Sequence, residues 1–307
     1  MKETAELLYI SGSGLFFWKG GPRYGGQDLG YSPGGAQDRF SFRTGNILLD
    51  REENEPSLEM IVPPRAIRFR YECCFVLTGG AIEAFLDNVP VEHGCVRRAP
   101  AGGELRFGKR RYGFRTYLAV NPVSSITADP ARLDGLKRGP FSDVTRWPDE
   151  AGEIRVLPGP EVDFLENPMQ FFRLPWLILP EASDMGIRLR ASAEGSASAS
   201  AAAAGDGLAL TQRKQLISAP VSDGTVQITP AGPIVLLRER QTTGGYPRAF
   251  VVINADVDLL AQYAPGRRVR FRPVTLDLAL RIAALQEEDL GRLREKLHRS
   301  CTEWCGT

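Results

Sequence analysis

Arg238, Arg240 and Gln241, followed by Thr242, Thr243, Gly244, Gly245 and Tyr246, interrupt an otherwise apolar pattern in LLRERQTTGGYPRAF, residues 236–250. A guanidinium presents a planar fork of donors that matches a carboxylate, and a glutamine side chain offers a donor and an acceptor to an amide. Paired glycines keep backbone low beside a ligand. If the strand begun by PIVLL runs on through residue 240, Arg238 and Arg240 share one face and Glu239 takes the other. The same residue types also suit a hairpin turn with its charges in solvent, and residue types alone leave both readings open.

A second polar group lies in GGQDLGYSPGGAQDRF, residues 25–40, where five glycines, Asp28, Gln37, Asp38 and Arg39 crowd the approach to a helix. Free N–H groups at a helix start favour an anion, and an irregular loop ending in a helix cap would use the same residues.

Other chemistries find little support. GELRFGKR, residues 103–110, spells the first part of a phosphate loop, but Arg110 stands where a magnesium-binding Ser or Thr is needed and the interior alternates like a strand. With two histidines and no G-x-S-x-G, a serine hydrolase triad has little to draw on. Glu52 and Glu53 lie in DREENEP, a charge cluster that reads as a solvated loop. His298, Cys301 and Cys305 in HRSCTEWC match no standard zinc spacing, so no metal site is expected.

The elements that must carry the polar groups are mostly strands. Short runs such as SLEMIV, AIRF, CFVLTG, AIEAFL and FRTYLAV, bounded by turn residues, indicate an antiparallel β domain over residues 1–125, with LDNVP as a hairpin turn. Cys73 and Cys74 inside CCFVLTG read as small hydrophobes on opposite faces of a strand. One helix is expected in QDRFSFRTGNILL, where Phe40, Ile47 and Leu48 share a face. Residues 126–150, polar and proline-bearing, read as a linker. From residue 151 to 307 the strand pattern resumes as EIRVLP, WLILP, GIRLR, TVQITP, PIVLLR, AFVVIN and RVRFRPV, with a short helix at EVDFLENP. ASAEGSASASAAAAG reads as a surface loop. The final stretch is a helix capped by Thr275, with Leu278, Ile282, Leu285, Leu290, Leu293 and Leu297 at helical spacing to pack on the second domain.

Bulk numbers fit this picture. A chain of 307 residues, 43% hydrophobic and 24% charged, can bury a substantial core. Lys+Arg 38 against Asp+Glu 37 leaves a net charge of +1, which argues against nucleic acid or a membrane surface as the partner. The N-terminal MKETAELLYISGSGLFFW lacks a signal-peptide pattern and no apolar run suits a membrane span, so a cytoplasmic protein with reduced thiols is expected.

The run SDGTVQITPAGPIVLLRERQTTGGYPR, residues 222–248, resembles the most characteristic block of the allophanate hydrolase subunit 2 family, also called the KipA family, which includes the C subunits of 5-oxoprolinases and is related to the carboxyltransferase domain of urea carboxylase. LGYSPGGAQDRFSFRTGNILLD, SLEM, LTGG, FRTYLAV, RVLPGP and ASDMGIRL agree in order, so the resemblance covers residues 10–285. It implies a mainly β fold of two cyclophilin-like β-barrel domains with a few short helices and a C-terminal helix. It also implies a cytoplasmic subunit of an ATP-dependent amide-handling enzyme, working beside a KipI-like partner subunit on a small amide or carboxylate. The alternative within the family is a non-catalytic regulatory protein that antagonises a kinase inhibitor through the same partner.

Carried over position by position, the resemblance assigns Arg240 to a carboxyl anion, Gln241 to the amide and Tyr246 to closing the pocket, as the catalytic group. Asp38, Met185, Gly186, Arg188, Thr242, Thr243, Gly244 and Gly245 are the implied substrate-binding residues. No cofactor is expected on this chain alone: it has no Ala-Met-Lys-Met biotin attachment sequence, so ATP and any biotin would come through partner subunits. Three departures mark the first half and the 183–190 block. WKGGPRY stands where the family carries Thr-x-Gln-Asp-x-Gly-Arg, Ser32-Pro33-Gly34-Gly35-Ala36-Gln37-Asp38 stands where it carries Pro-x-Ser-Gly-Ala-Met-Asp, so that Asp38 survives and the serine does not, and Asp184 directly precedes Met185 in place of Arg.

Overall fold

The computed structural model of the protein describes residues 2–123, 152–192, 208, 210 and 216–302, with side chains to residue 297. The whole of the expected linker, most of the alanine- and serine-rich stretch and the side chains of His298, Cys301 and Cys305 lie outside the described residues. The chain forms two compact units that interleave in sequence. The first takes Met1–Gly21, Asp38–Trp147 and Ala284–Thr307, and the second takes Pro22–Gln37 and Pro148–Ala283.

After a short helix α1 (Lys2–Glu6), the first unit contains β1 (Leu8–Ser11), β2 (Leu15–Lys19), helix α2 (Arg39–Leu48), β3 (Ser57–Val62), β4 (Ala66–Phe69), β5 (Cys73–Gly79), β6 (Ile82–Leu86), β7 (Val89–Val91), β8 (Arg97–Ala99), β9 (Glu104–Arg110) and β10 (Thr116–Pro122). They make two five-stranded sheets, ordered β1-β4-β9-β6-β7 and β2-β3-β10-β5-β8. Ile67, Phe69 and Leu105 of one sheet meet Leu58, Phe75, Leu77 and Leu118 of the other in a common core. Every residue of β5 is buried because both of its faces are covered. Cys73, Phe75 and Leu77 face that core, while Cys74 and Val76 pack beneath Ile47 and Leu48 of α2. The two cysteines thus point to opposite faces as expected, and burial pushes the Cys73 thiol up to about 11, with Cys74 and Glu72 adding to the effect.

Local signals in this half are realised closely. LDNVP turns through Asp87 and Asn88, both at positive φ (49° and 68°), with Leu86 paired to Val89. This is the backbone that Asp and Asn tolerate in a two-residue hairpin. GELRFGKR supplies β9, a strand without the following helix that a phosphate loop requires.

The second unit contains β11 (Glu153–Pro158), helix α3 (Gln170–Arg173), β12 (Trp176–Ile178), β13 (Gly186–Ala191), β14 (Ala219–Pro220), β15 (Thr225–Thr229), β16 (Gly232–Leu236), β17 (Thr243–Gly244), β18 (Arg248–Val252), helix α4 (Asn254–Leu260) and β19 (Arg268–Pro273). Seven strands close a barrel in the order β11-β18-β15-β16-β13-β12-β19, sealed by parallel pairing of β11 with β19. Its interior is aromatic. Phe171 of α3 stacks on Phe250 and on Phe271, each at 4.6 Å between ring centroids, and Trp176 lies alongside at 5.2 Å. The fold is therefore mainly β with few helices.

Helix α5 (Leu276–Thr302) starts in the second unit and ends in the first. Thr275 caps it, its hydroxyl accepting from the Leu278 N–H at 3.3 Å. Leu290, Leu293 and Leu297 are buried with Ile47, Leu48 and Val76 in the first unit, whereas Leu278 and Leu285 are exposed. The expected packing of this helix on the second half is corrected accordingly. Among the described residues no helix is long and apolar enough to cross a membrane.

Candidate functional site

The polar cluster in the 236–250 stretch begins where β16 stops. The strand ends at Leu236, and Arg238 and Glu239 form a turn in which the Arg240 N–H donates to the Leu237 carbonyl at 3.3 Å. The expected continuation of the strand through residue 240 is corrected, yet both arginines still reach one carboxylate, Asp223. Arg238 Nη1 donates to Asp223 Oδ2 at 2.8 Å, and Arg240 Nε stands 3.0 Å from Asp223 Oδ1. The second contact is an ion pair and not an aligned hydrogen bond, since Arg240 Nε has no hydrogen-bond acceptor.

Arg238 is the buried centre, 1% exposed, and its Nη2 donates to Asp258 Oδ1 of α4 at 2.7 Å. Burial works against its charge, but Asp258 and Asp223 outweigh that penalty and hold the guanidinium above its ordinary pKa. Asp258, Arg238, Asp223 and Arg240 thus form a chain of alternating charge with no net charge.

Arg240 is also nearly buried, and its Nη1 donates to the Gln241 carbonyl at 3.2 Å. Its Nη2 makes no hydrogen bond among the described residues and is not one of the atoms sealed from solvent. One arm of the fork therefore remains open while the rest is held.

Beside it, Gln241 Nε2 donates to Gln227 Oε1 at 3.4 Å, and Gln227 Nε2 donates to the Tyr246 carbonyl at 3.4 Å. Val226 and Ile228 fill the barrel core, so Gln227 points outward, yet it is only 2% exposed. Gly244 crosses so near that a Cβ there would lie 2.4 Å from Gln227 Nε2. Thr243 and Gly244 pair with Pro220 and Ala219, and the Thr242 carbonyl accepts from the Val221 N–H at 3.0 Å. Gly245 and the Tyr246 side chain are exposed, the tyrosine at 47%.

Residues 22–37 belong to this same unit. Ser32 Oγ and the Gly34 N–H donate to the Arg238 carbonyl at 2.7 and 3.2 Å, and the Arg238 N–H donates to Gln37 Oε1 at 3.3 Å. Gln37, fully buried, donates from Nε2 to the Asp184 carbonyl at 3.1 Å, which also accepts from the Glu239 N–H at 3.0 Å. Gly34 adopts a positive φ of 60°, and a Cβ there would meet the Glu239 carboxylate at 3.1 Å. Gln37 therefore ties the glycine loop to the signature turn through Oε1 and to Asp184 through Nε2.

The sequence-derived residues divide as follows. Arg240, Gln241, Thr242, Thr243, Gly244, Gly245 and Tyr246 lie together on the segment just described. Met185 and Gly186 adjoin it, the Met185 carbonyl accepting from the Leu237 N–H at 2.9 Å and Gly186 pairing with Leu236. Arg188 lies two residues further along β13, exposed on the outer face of the barrel. Asp38 belongs to the first unit, where its carboxylate caps α2 by accepting from the Ser41 N–H at 2.9 Å and Ser41 Oγ at 2.6 Å. The Asp38 N–H donates to the hydroxyl of buried Tyr117 at 2.8 Å. Sequence reasoning missed Asp223, Gln227 and Asp258 and did not name Arg238 as a site residue. A glutamine inside the alternating strand TVQIT was the one available signal.

Comparison with known proteins identifies the family. The family model described as carboxyltransferase domain, subdomain A and B, matches residues 29–128 and 127–273. The chain is 31% identical to the C subunit of 5-oxoprolinase from Escherichia coli over 95% of its own length and 99% of the relative's. It is 28% identical to the C subunit of 5-oxoprolinase from Haemophilus influenzae, over 89% and 92% of the two chains. Both names mark their bearers as subunits. Among solved structures, the urea amidolyase of K. lactis superposes with a TM-score of 0.74 at 18% identity, over 93% of this chain but 20% of that one, a likeness of fold. The chain accordingly belongs to the carboxyltransferase domain family, subdomains A and B.

Proposed function

We propose that this chain is a subunit of an ATP-dependent amide-handling enzyme of the 5-oxoprolinase or urea carboxylase type, and that residues 240–246 bind a small planar amide or carboxylate. The observation that carries this reading is the state of Arg240, whose Nε and Nη1 are engaged by Asp223 and the Gln241 carbonyl while Nη2 stays open. A guanidinium held in this way receives a carboxylate with little ordering cost. The Gln241 and Gln227 contacts, at 3.4 Å, are at the weak end of hydrogen bonding, so a substrate amide can take them over. The exposed Tyr246 ring closes over the bound substrate.

The phosphate-loop-like stretch GELRFGKR forms strand β9, which supports a supply of ATP from elsewhere. ATP, and biotin where it is used, arrives with partner subunits, of which a KipI-like chain is the first. The competing reading, a regulatory KipA-like protein without catalysis, draws on Asp38, whose carboxylate is engaged in capping α2.

The test is turnover of 5-oxoproline and of urea by this chain co-purified with its KipI-like partner. Arg240→Ala is expected to abolish turnover while the complex survives. An intact wild-type complex that is inactive on both substrates contradicts the enzymatic reading and favours the regulatory one.

A further inference from the structure

Three neighbouring barrel strands, β13, β12 and β19, read GIRLRA, WLI and RVRFRP and hold no acidic residue. Ile187, Leu189, Trp176, Ile178, Val269 and Phe271 fill the core, so the residues alternating with them face outward. Leu177 of β12 pairs with Arg190 on one side and Arg268 on the other. One row across the barrel wall is therefore Arg190, Leu177, Arg268, with the two arginine Cα atoms about 10 Å apart. In the adjoining row the Leu179 N–H donates to the Arg188 carbonyl at 3.0 Å, and Arg267 immediately precedes β19, its carbonyl accepting from the Ile178 N–H at 2.9 Å. Arg188, Arg267 and Arg268 are exposed, and Leu177, Leu179 and Arg190 partly so.

Among the described residues, the side chains of Arg188, Arg190 and Arg267 make no hydrogen bond or ion pair. Arg268 has only the Ser192 hydroxyl, at 3.0 Å. A chain of net charge +1 has concentrated unneutralised arginine on one strip of wall, around two leucines.

We propose that this outer face of β13, β12 and β19 is the docking surface for an acidic face of the KipI-like partner subunit, an inference that rests on the partner assignment above. An apolar middle framed by arginines is the make-up of a protein interface, where arginine is enriched. The face is the outer wall of a sheet. It also lacks the exposed aromatic rings that single-stranded nucleic acid stacks upon, since the one aromatic residue of β12, Trp176, is buried. Opposed charge across such a face accelerates encounter and fixes register.

The experiment measures binding of the purified partner to the full chain by calorimetry at two salt concentrations. Wild type is compared with Arg190→Glu/Arg267→Glu/Arg268→Glu, with the corresponding Gln triple variant, and with Arg68→Glu/Arg98→Glu/Arg106→Glu as a control of equal charge change. Wild-type affinity is expected to fall with salt. The first variant is expected to bind at least tenfold more weakly, the Gln variant in between, and the control like wild type. Equal affinity of wild type and the first variant, with unchanged circular dichroism, overturns the face while leaving the partner assignment standing. No wild-type complex at all overturns both, and tighter binding of this face to an oligonucleotide than to the partner overturns the choice of a protein.

Discussion

Asp223 holds two arginines at once, with Arg238 Nη1 at 2.8 Å from one carboxylate oxygen and Arg240 Nε at 3.0 Å from the other. Arg238 is anchored further by Asp258, so the orientation of Arg240 is set through Asp223 by a buried chain of ion pairs. Asp223→Ala leaves buried Arg238 with one carboxylate in place of two. The expected cost is about 3 kcal/mol, the low end of the range for breaking a buried pair. Urea unfolding checks this, and a loss below about 1 kcal/mol, the scale of a surface pair, would remove Asp223 from this role.

Gly244 is required by its approach to Gln227. A Cβ at 2.4 Å from Nε2 forces a shift, so Gly244→Ala is expected to lose about 1–3 kcal/mol, as overpacking does. Gln227→Ala removes the obstructing amide, and the double variant should recover part of that loss. A purely additive double variant would show that the glycine serves some other purpose.

Asp38 can be assigned by comparing two substitutions. Asp38→Asn keeps a capping acceptor, whereas Asp38→Ala lacks one and should lose about 1 kcal/mol of stability. If Asp38 acts only as a cap, Asn retains both stability and turnover. If Asn is stable but turnover falls tenfold or more, the carboxylate has a role in substrate binding as well.

His93 gives the first unit a pH dependence. Burial lowers its pKa below the ordinary 6.5; the backbone hydrogen bond to Ile82 opposes this, and the charges of Arg110 and Arg111 add to it. The unfolded chain therefore binds the proton more readily than the folded one. The contribution is fully present above pH 6.5 and is lost as pH falls towards the depressed folded value. Wild type should lose more stability than His93→Gln between pH 7.5 and 5.5, and parallel losses would contradict this.

What the sequence disclosed was mainly local. The Asp87–Asn88 hairpin, the helix in QDRFSFRTGNILL and the opposed faces of Cys73 and Cys74 each depend on neighbours a few residues away, and each is realised. The leucine spacing of α5 showed an amphipathic helix but could not say which leucines find a core. Leu290, Leu293 and Leu297 do, and Leu278 and Leu285 do not.

The signature segment was legible as a polar group but its anchoring was not. Ser32 and Arg238 are 206 positions apart, and no local pattern signals that residues 22–37 fold with the second half of the chain. Alternation tied Arg238 to Arg240 but said nothing of burial. The acids that hold them come from the turn before β15 and from α4, where each reads as an ordinary surface aspartate.

The central claim is that the open Nη2 of Arg240 receives the substrate carboxylate. The most direct measurement is kcat/KM for 5-oxoproline in the partner complex, for wild type, Arg240→Lys and Arg240→Ala. Loss of a charged hydrogen bond of about 3 kcal/mol corresponds to a fall of roughly a hundredfold or more for Ala, with partial retention for Lys and an unchanged complex. Ala within twofold of wild type, with the complex intact, would contradict it.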